Sequence, residues 1–334
     1  MDPRPSSPEP LDVPPALPSV RMSLSRVGVT GVEKVIHIGV DGRSPRLFSA
    51  RLDCFVELGP TRRGAQISRF DEVINDAVRD PVLDDAGMRA ERLAQAVAER
   101  VRERQHARRS EVAIVARFPE RRPAPVSGTP TQEISTLYGR AVASERGTRR
   151  MVGVSAQGMT TSPYPQDALI ARARERLAAD GFSEAQIARI LQKVPVATHS
   201  QLGVGTLCLG CPEGCALEFD VALLLAIVEG AMSSEIFELL KRSDEAAVVE
   251  RAHRRPRFVE DCVRAMIAGV VERFADAPDE AFVSAAQENI ETIHSHNVIA
   301  ERAGLLGELR RELATGEAVA RHTSMHKWLA ANDR

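Results

Sequence analysis

Two histidines separated by one residue, His294 and His296, lie in the segment QENIETIHSHNVIAE (287–301), flanked by Glu288, Glu291 and Glu301. Imidazole nitrogens and carboxylate oxygens are the donors of catalytic zinc and iron sites. On a continuing strand, residues two apart project to one face, so such a pair suits one ion. PVATHSQLGVG (195–205) places His199 in a turn ahead of a glycine-flanked strand. Glu229 interrupts ALLLAIVEGAM (222–232), setting a carboxylate on or beside a core-facing stripe. That is costly unless a cation, a donor or a metal meets it. Ser162 leaves a strand through GMTTSPYPQD (158–167), where two X-Pro steps make a rigid loop before a helix N-terminus, a position that faces anions. Each residue also has a plain structural reading, as turn histidine, surface glutamate or N-cap hydroxyl. On their own they reach as far as an α+β enzyme or ligand-binding protein with a His/His/Glu site.

The cysteines are Cys54, Cys208, Cys211, Cys215 and Cys262. An odd count in a chain with no secretory signal argues against a disulfide framework. CLGCPEGC (208–215) has metal-ligand spacing, but no second C-x-x-C completes four ligands. Cys262 falls on an apolar helical stripe and reads as a small buried hydrophobe.

These residues need elements to hold them. VEKVIHIG and PRLFSARLDCFVELG alternate as strands joined by VDGRSP. Helices follow in SRFDEVINDAVRD and from about Met88 to Arg108, then the strand SEVAIVARF and two strands turning at Arg146-Gly147. The second half repeats the pattern. QDALIARARERLAADGF is a helix ending at Gly181, SEAQIARILQKV opens with a Ser183…Gln186 capping box, and GVGTLCLG is a strand. DVALLLAIVEGAMSSEIFELLKR reads as one helix from an Asp220 N-cap, and PRFVEDCVRAMIAGVVERF as another with Pro256 near its first turn. AFVSAAQENIETIH is the last strand. Helices on one face of antiparallel sheets is the architecture this order suggests.

The chain has 334 residues, 43% hydrophobic and 27% charged, with a formal charge of −2. That balance gives no general pull toward nucleic acid. No apolar run is long enough to span a bilayer. Residues 1–20 are rich in proline and serine and lack a signal-peptide core, which predicts a disordered tail and a cytoplasmic location.

Five segments carry a resemblance: RMSLSRVGVTGVEKVIHI (21–38), ISRFDEVINDAV (67–78), VPVATHSQLGVGT (194–206), LLKRSDEAAVVERAHRRPRFVEDCVRAMI (239–267) and ENIETIHSHNVIAERAGLLGELRREL (288–313). Together they resemble the GTP cyclohydrolase IB family, most of all its archaeal-type branch. The resemblance implies an α+β tandem tunnelling fold (T-fold), with halves at 21–147 and 148–315 and a C-terminal tail at 316–334. It implies a homo-oligomer with active sites at subunit interfaces. The implied reaction opens the imidazole ring of GTP hydrolytically, releases formate and forms a 7,8-dihydroneopterin tri- or cyclic phosphate. One divalent ion per subunit, Fe(2+) or Zn(2+), is the implied cofactor. Mapped onto this chain, His199, Glu229, His294 and His296 are the implied metal residues; Glu291, Arg69 and Gln201 bind substrate; and Ser162, His199 and Gln66 take catalytic positions.

The chain departs from the family pattern at several of these positions. TSPYPQ (161–166) stands where the family has ACPCAQ, so Ser162 and Tyr164 replace cysteines. GAQISR (64–69) puts Gln66 in place of a histidine, Leu202 replaces an arginine, and Asn297 an aspartate. Serine is a weaker metal ligand than a thiolate, and leucine cannot contact a phosphate by charge. Two other readings therefore stand beside the first: a relative acting on another purine nucleotide or stopping at the ring-opened formamide, and a non-catalytic purine-binding paralogue.

Overall fold

A computed structural model of the chain describes residues 17–38, 46–79, 89–319 and 322–330. Among the described residues nine strands form one sheet: β1 (Leu24–Ile38), β2 (Arg46–Leu58), β3 (Arg109–Pro123), β4 (Pro130–Ser144), β5 (Gly147–Thr161), β6 (Ser200–Cys211), β7 (Ser234–Glu235), β8 (Phe282–Ile290) and β9 (Val298–Leu305). The order is β1-β2-β3-β4-β5-β6-β8-β9, every pair antiparallel, with the short β7 paired to β5 at Gly158 and Met159. Strand residues of alternating polarity dictate this, because side chains two apart share a face. In β3, Val112, Ile114, Ala116 and Phe118 are buried, while the residues between them are more exposed.

The helices are α1 (Ile67–Val78), α2 (Ala90–Arg104), α3 (Pro163–Ala179), α4 (Glu184–Lys193), α5 (Val221–Ala231), α6 (Arg242–Arg254), α7 (Val259–Arg273), α8 (Leu306–Thr315) and α9 (Met325–Ala330). Helix α2 packs on β3, β4 and β5, α5 on β5 and β6, and α7 on β8 and β9. Leu93, Val97 and Val101 of α2, Leu224 and Val228 of α5, and Met266 and Val270 of α7 join the inward residues of the sheet in one continuous core. The capping box at Ser183 and Gln186 is present, and Gly181 adopts φ +90 just past α3, as its lack of a Cβ permits. None of the helices among the described residues is long and apolar enough to cross a membrane.

The other face of the sheet carries a smaller cluster. Trp328 of α9 stacks on Phe282 at 5.4 Å between ring centroids, and its indole N–H donates to the Glu280 carbonyl. A Cβ on Gly210 would come within 2.6 Å of the indole, so glycine there makes room for this contact.

Several expectations need correction. The tandem tunnelling fold, with a sheet for each half, is not what forms: a single nine-stranded antiparallel sheet runs through both halves, joined across residue 147 by the β4–β5 hairpin. The long helix expected from Asp220 stops at Ala231. Met232 is extended, and the Ser233 hydroxyl accepts the Thr161 N–H as the chain turns into β7. Serine side chains compete in this way with helical hydrogen bonds. The strand through the histidines ends instead at Ile290, and β9 follows it. Cys211 and Cys215 form a disulfide, contrary to the reading of the cysteines. The VDGRSP turn and most of the expected N-terminal tail, residues 1–16, lie outside the described residues.

Candidate functional site

Three strand ends converge. Thr161 at the end of β5 pairs with Ser200 at the start of β6, and Leu202 of β6 pairs with Ile290 at the end of β8. Just beyond, the Ser162 N–H donates to the His199 carbonyl at 3.3 Å, and the Thr292 hydroxyl donates to the Ser200 carbonyl at 2.9 Å. The result is a pocket of about 220 Å³ lined by Ser162, His199, Gln201, Glu291, His294 and His296, with Asn289, Arg257 and Phe258 at its side. Of the expected site residues, the structure brings these six together.

The chemistry concentrates on His199 and Glu291. His199 Nδ1 lies 3.8 Å from Glu291 Oε2, and the side chains are 13% and 4% exposed. Both atoms are buried, and neither has a hydrogen-bond partner. The other carboxylate oxygen, Oε1, accepts from Gln201 Nε2 at 2.8 Å, and Gln201 Oε1 accepts from the Thr160 hydroxyl at 3.3 Å. Beyond Ile290 the strand gives way to a bend, so His294 and His296 are set by the turn and not by strand alternation. Their rings stack at 5.4 Å, and the His294 ring meets that of His199 edge-on at 6.3 Å.

The loop ahead of His199 is pinned by groups the sequence reading did not single out. The Thr198 hydroxyl donates to the Ser162 carbonyl at 2.8 Å, and Gln166 Nε2 donates to the carbonyls of Val196 and His253. A His253 ring nitrogen faces the Thr198 carbonyl at 3.2 Å. Thr160 carries no signal of its own in the sequence; its pairing with Gln201 shows only in the ladder between β5 and β6.

The remaining expected residues lie elsewhere in the chain. Glu229 on α5 accepts from Arg122 of β3 at 2.8 Å, and Arg122 also donates to the Ile236 carbonyl. Burial pushes the Glu229 carboxyl above its ordinary range, with the Arg122 guanidinium opposing that shift. The cost of a carboxylate on this stripe is thus met by a cation, and Glu229 does not line the histidine pocket. Gln66 caps α1, where its backbone exchanges hydrogen bonds with the Gln105 side chain. Arg69 donates to the Arg104 carbonyl and lines a separate cleft of about 530 Å³ between α1 and α2, with Arg100 and His106.

A ferrous or zinc ion can be tested against this donor set. The orphaned His199 nitrogen and the imidazole of His294 opposite it are ligand types that both ions accept. Among the described residues, no three His, Cys, Asp or Glu side chains converge closely enough to hold an ion as they stand. The donor types fit, and a third ligand beyond the two imidazoles is needed to complete such a site.

The model of the type I GTP cyclohydrolase folE2 family matches residues 11–300. The GTP cyclohydrolase MptA of Methanosarcina mazei is 38% identical over 314 residues, spanning 91% of this chain and 97% of that protein. The protein of the same name from Methanococcoides burtonii is 39% identical over 314 residues, spanning 90% and 96%. Among solved structures, the uricase of Arthrobacter globiformis aligns with a TM-score of 0.49 at 8% identity, covering 84% of this chain and 92% of its own. That likeness carries no argument about chemistry.

Proposed function

The chain belongs to the type I GTP cyclohydrolase family, and on that premise we propose that it opens the imidazole ring of GTP by hydrolysis. The observation that carries the reading is the buried, unpartnered pair of Glu291 Oε2 and His199 Nδ1, facing each other inside a pocket of about 220 Å³. A carboxylate desolvated to this degree needs a donor. The adjacent ring and exocyclic N–H groups of guanine are such donors, and pairing with them would fix the purine. The base would then lie with its imidazole ring toward the histidines.

In the proposed reaction one water adds at the carbon between the imidazole nitrogens and a ring C–N bond breaks, leaving a formamide. A second water releases formate. The ribose carbons then rearrange and the ring closes with loss of water, giving 7,8-dihydroneopterin triphosphate, or its cyclic phosphate where a hydroxyl of the side chain attacks the α-phosphorus and diphosphate leaves. His199 and His294 are the residues that would hold a Fe(2+) or Zn(2+) ion, with His296 stacked behind His294. Such an ion lowers the pKa of bound water toward about 7 and so supplies a nucleophile at neutral pH. Ser162, whose hydroxyl replaces a thiol, lines the same pocket as a hydrogen-bonding group. The identities of 36–39% to archaeal MptA proteins support placement in the archaeal-type IB branch. We also assign the chain to a homo-oligomer in the cytoplasm, with its active sites at subunit interfaces.

Anaerobic incubation of iron-loaded protein with GTP tests the reading, with formate and pterin absorbance followed together. Formate with pterin is the expected outcome. Formate alone favours an enzyme that stops at ring opening, and neither product sinks the cyclohydrolase reading.

A further inference from the structure

From the hydrogen bonds beneath the pocket we infer that Gln201 is a positioning residue for Glu291, and that Thr160 in turn fixes Gln201. The sequence reading placed Gln201 against the substrate itself. Its amide is already committed at both ends: Nε2 donates to Glu291 Oε1 at 2.8 Å, and Oε1 accepts from the Thr160 hydroxyl at 3.3 Å. Thr160 is fully buried and Gln201 is nearly so.

The arrangement follows from the sheet. Thr160, Gln201 and Glu291 come from the ends of the three neighbouring strands β5, β6 and β8, with Thr160 and Gln201 directly paired in the ladder. Thr160 lies two residues before Ser162, and Gln201 two residues after His199. Ladder pairing, not alternation beyond the strand ends, sets these uncharged polar side chains side by side as a layer at the edge of the pocket that Gln201 lines. This layer satisfies one oxygen of the Glu291 carboxylate and leaves the other, Oε2, without a partner and facing His199. It also decides which way the Gln201 amide points. The threonine hydroxyl is the donor, so the amide oxygen turns toward it and the NH₂ toward Glu291. Loss of that hydroxyl would leave the buried amide oxygen without a donor and free the Gln201 side chain to shift away from Glu291.

The inference rests on the reading of Glu291 as the guanine anchor, and two kinds of measurement separate the two ideas. In steady-state kinetics with GTP, Gln201→Met removes the donor at nearly constant volume. A hydrogen bond to a charged group is worth enough for the KM for GTP to rise about tenfold to a hundredfold, with kcat changed much less. Thr160→Val should shift KM in the same direction, and Thr160→Ser, which keeps the hydroxyl, should restore it. A role in packing alone would make serine no better than valine. Unchanged KM in both Gln201→Met and Thr160→Val would overturn the inference. A crystal structure of Gln201→Met gives the second readout. The Glu291 carboxylate should leave its present position, and an unmoved carboxylate would overturn the inference whether or not GTP is the substrate. Failure of the unaltered protein to turn over GTP would sink the parent reading alone, and the position of Glu291 in the variant crystal would still decide the role of Gln201.

Discussion

Glu291 Oε2 and His199 Nδ1 stand 3.8 Å apart, both atoms buried and each without a hydrogen-bond partner. Two such polar atoms side by side are expensive to leave unpaired. On the proposed reading, guanine supplies the donor that the carboxylate lacks.

If His199 and His294 hold the ion, replacing either by alanine should cut bound metal from about one ion per chain to near none. Elemental analysis of protein reconstituted with iron or zinc under anaerobic conditions reads this without any assay of turnover. Full metal content in both variants would remove these histidines from the metal site.

Glu229 poses a different question, because its partner in the structure is Arg122, with side chains 12% and 17% exposed. Removing one member of a buried pair leaves the other charged and alone, at a cost of about 3–5 kcal/mol. Arg122→Met should therefore lower the urea midpoint sharply, and combining it with Glu229→Gln should recover part of the loss. Additive losses in the double variant would argue that the pair is not coupled.

Asp244, in the first turn of α6, governs stability in acid. It accepts the backbone N–H groups of Val126 and Ser127 at 2.8 Å and of Lys241 at 2.9 Å. Burial pushes its carboxyl up, but these hydrogen bonds together outweigh that and hold it below the usual carboxylate range. A folded-state value below the unfolded one means stability that is present above about pH 4 and lost as pH falls further. Asp244→Asn should lose stability at pH 7 relative to the unaltered protein, and urea titrations should show the gap narrowing toward pH 3. A gap that widens in acid would reverse the sign.

Trp328 tests whether the second face of the sheet matters to the pocket. Gly210, on which the indole rests, lies nine residues along β6 from Gln201, about 30 Å in an extended strand. Trp328→Ala should cost about 3–5 kcal/mol by emptying a packed site, while the KM for GTP stays as it was. A large KM change would mean that the C-terminal helix reaches the site through the sheet.

How much of this was legible in the sequence differs from residue to residue. Most strands and helices through β8 followed from periodicity, and the Ser183 cap from its spacing to Gln186, while β7, β9, α8 and α9 did not. His199, Glu291 and His294 were identified from the motifs around them, and they meet because antiparallel pairing brings the ends of β6 and β8 together. Pairing partners are set by long-range contacts, so the single sheet could not be read from local pattern. The same limit hid Arg122, which lies 107 residues from Glu229. Periodicity likewise ran α5 past Ala231, where serine side chains and the pairing of β7 end it. Thr160 drew no notice because an isolated threonine in a strand is ordinary; only its register against Gln201 gives it a role.

The most direct test is formate release from GTP by metal-loaded protein, with the unaltered chain and Glu291→Gln run side by side. Glutamine keeps the shape of the side chain but replaces a carboxylate oxygen with an amide donor, which guanine N–H groups cannot use. Stoichiometric formate from the unaltered chain, with kcat/KM at least a hundredfold lower in Glu291→Gln, is the expected result. No formate from the unaltered chain, or equal rates from the two, would contradict the assignment of this pocket to GTP.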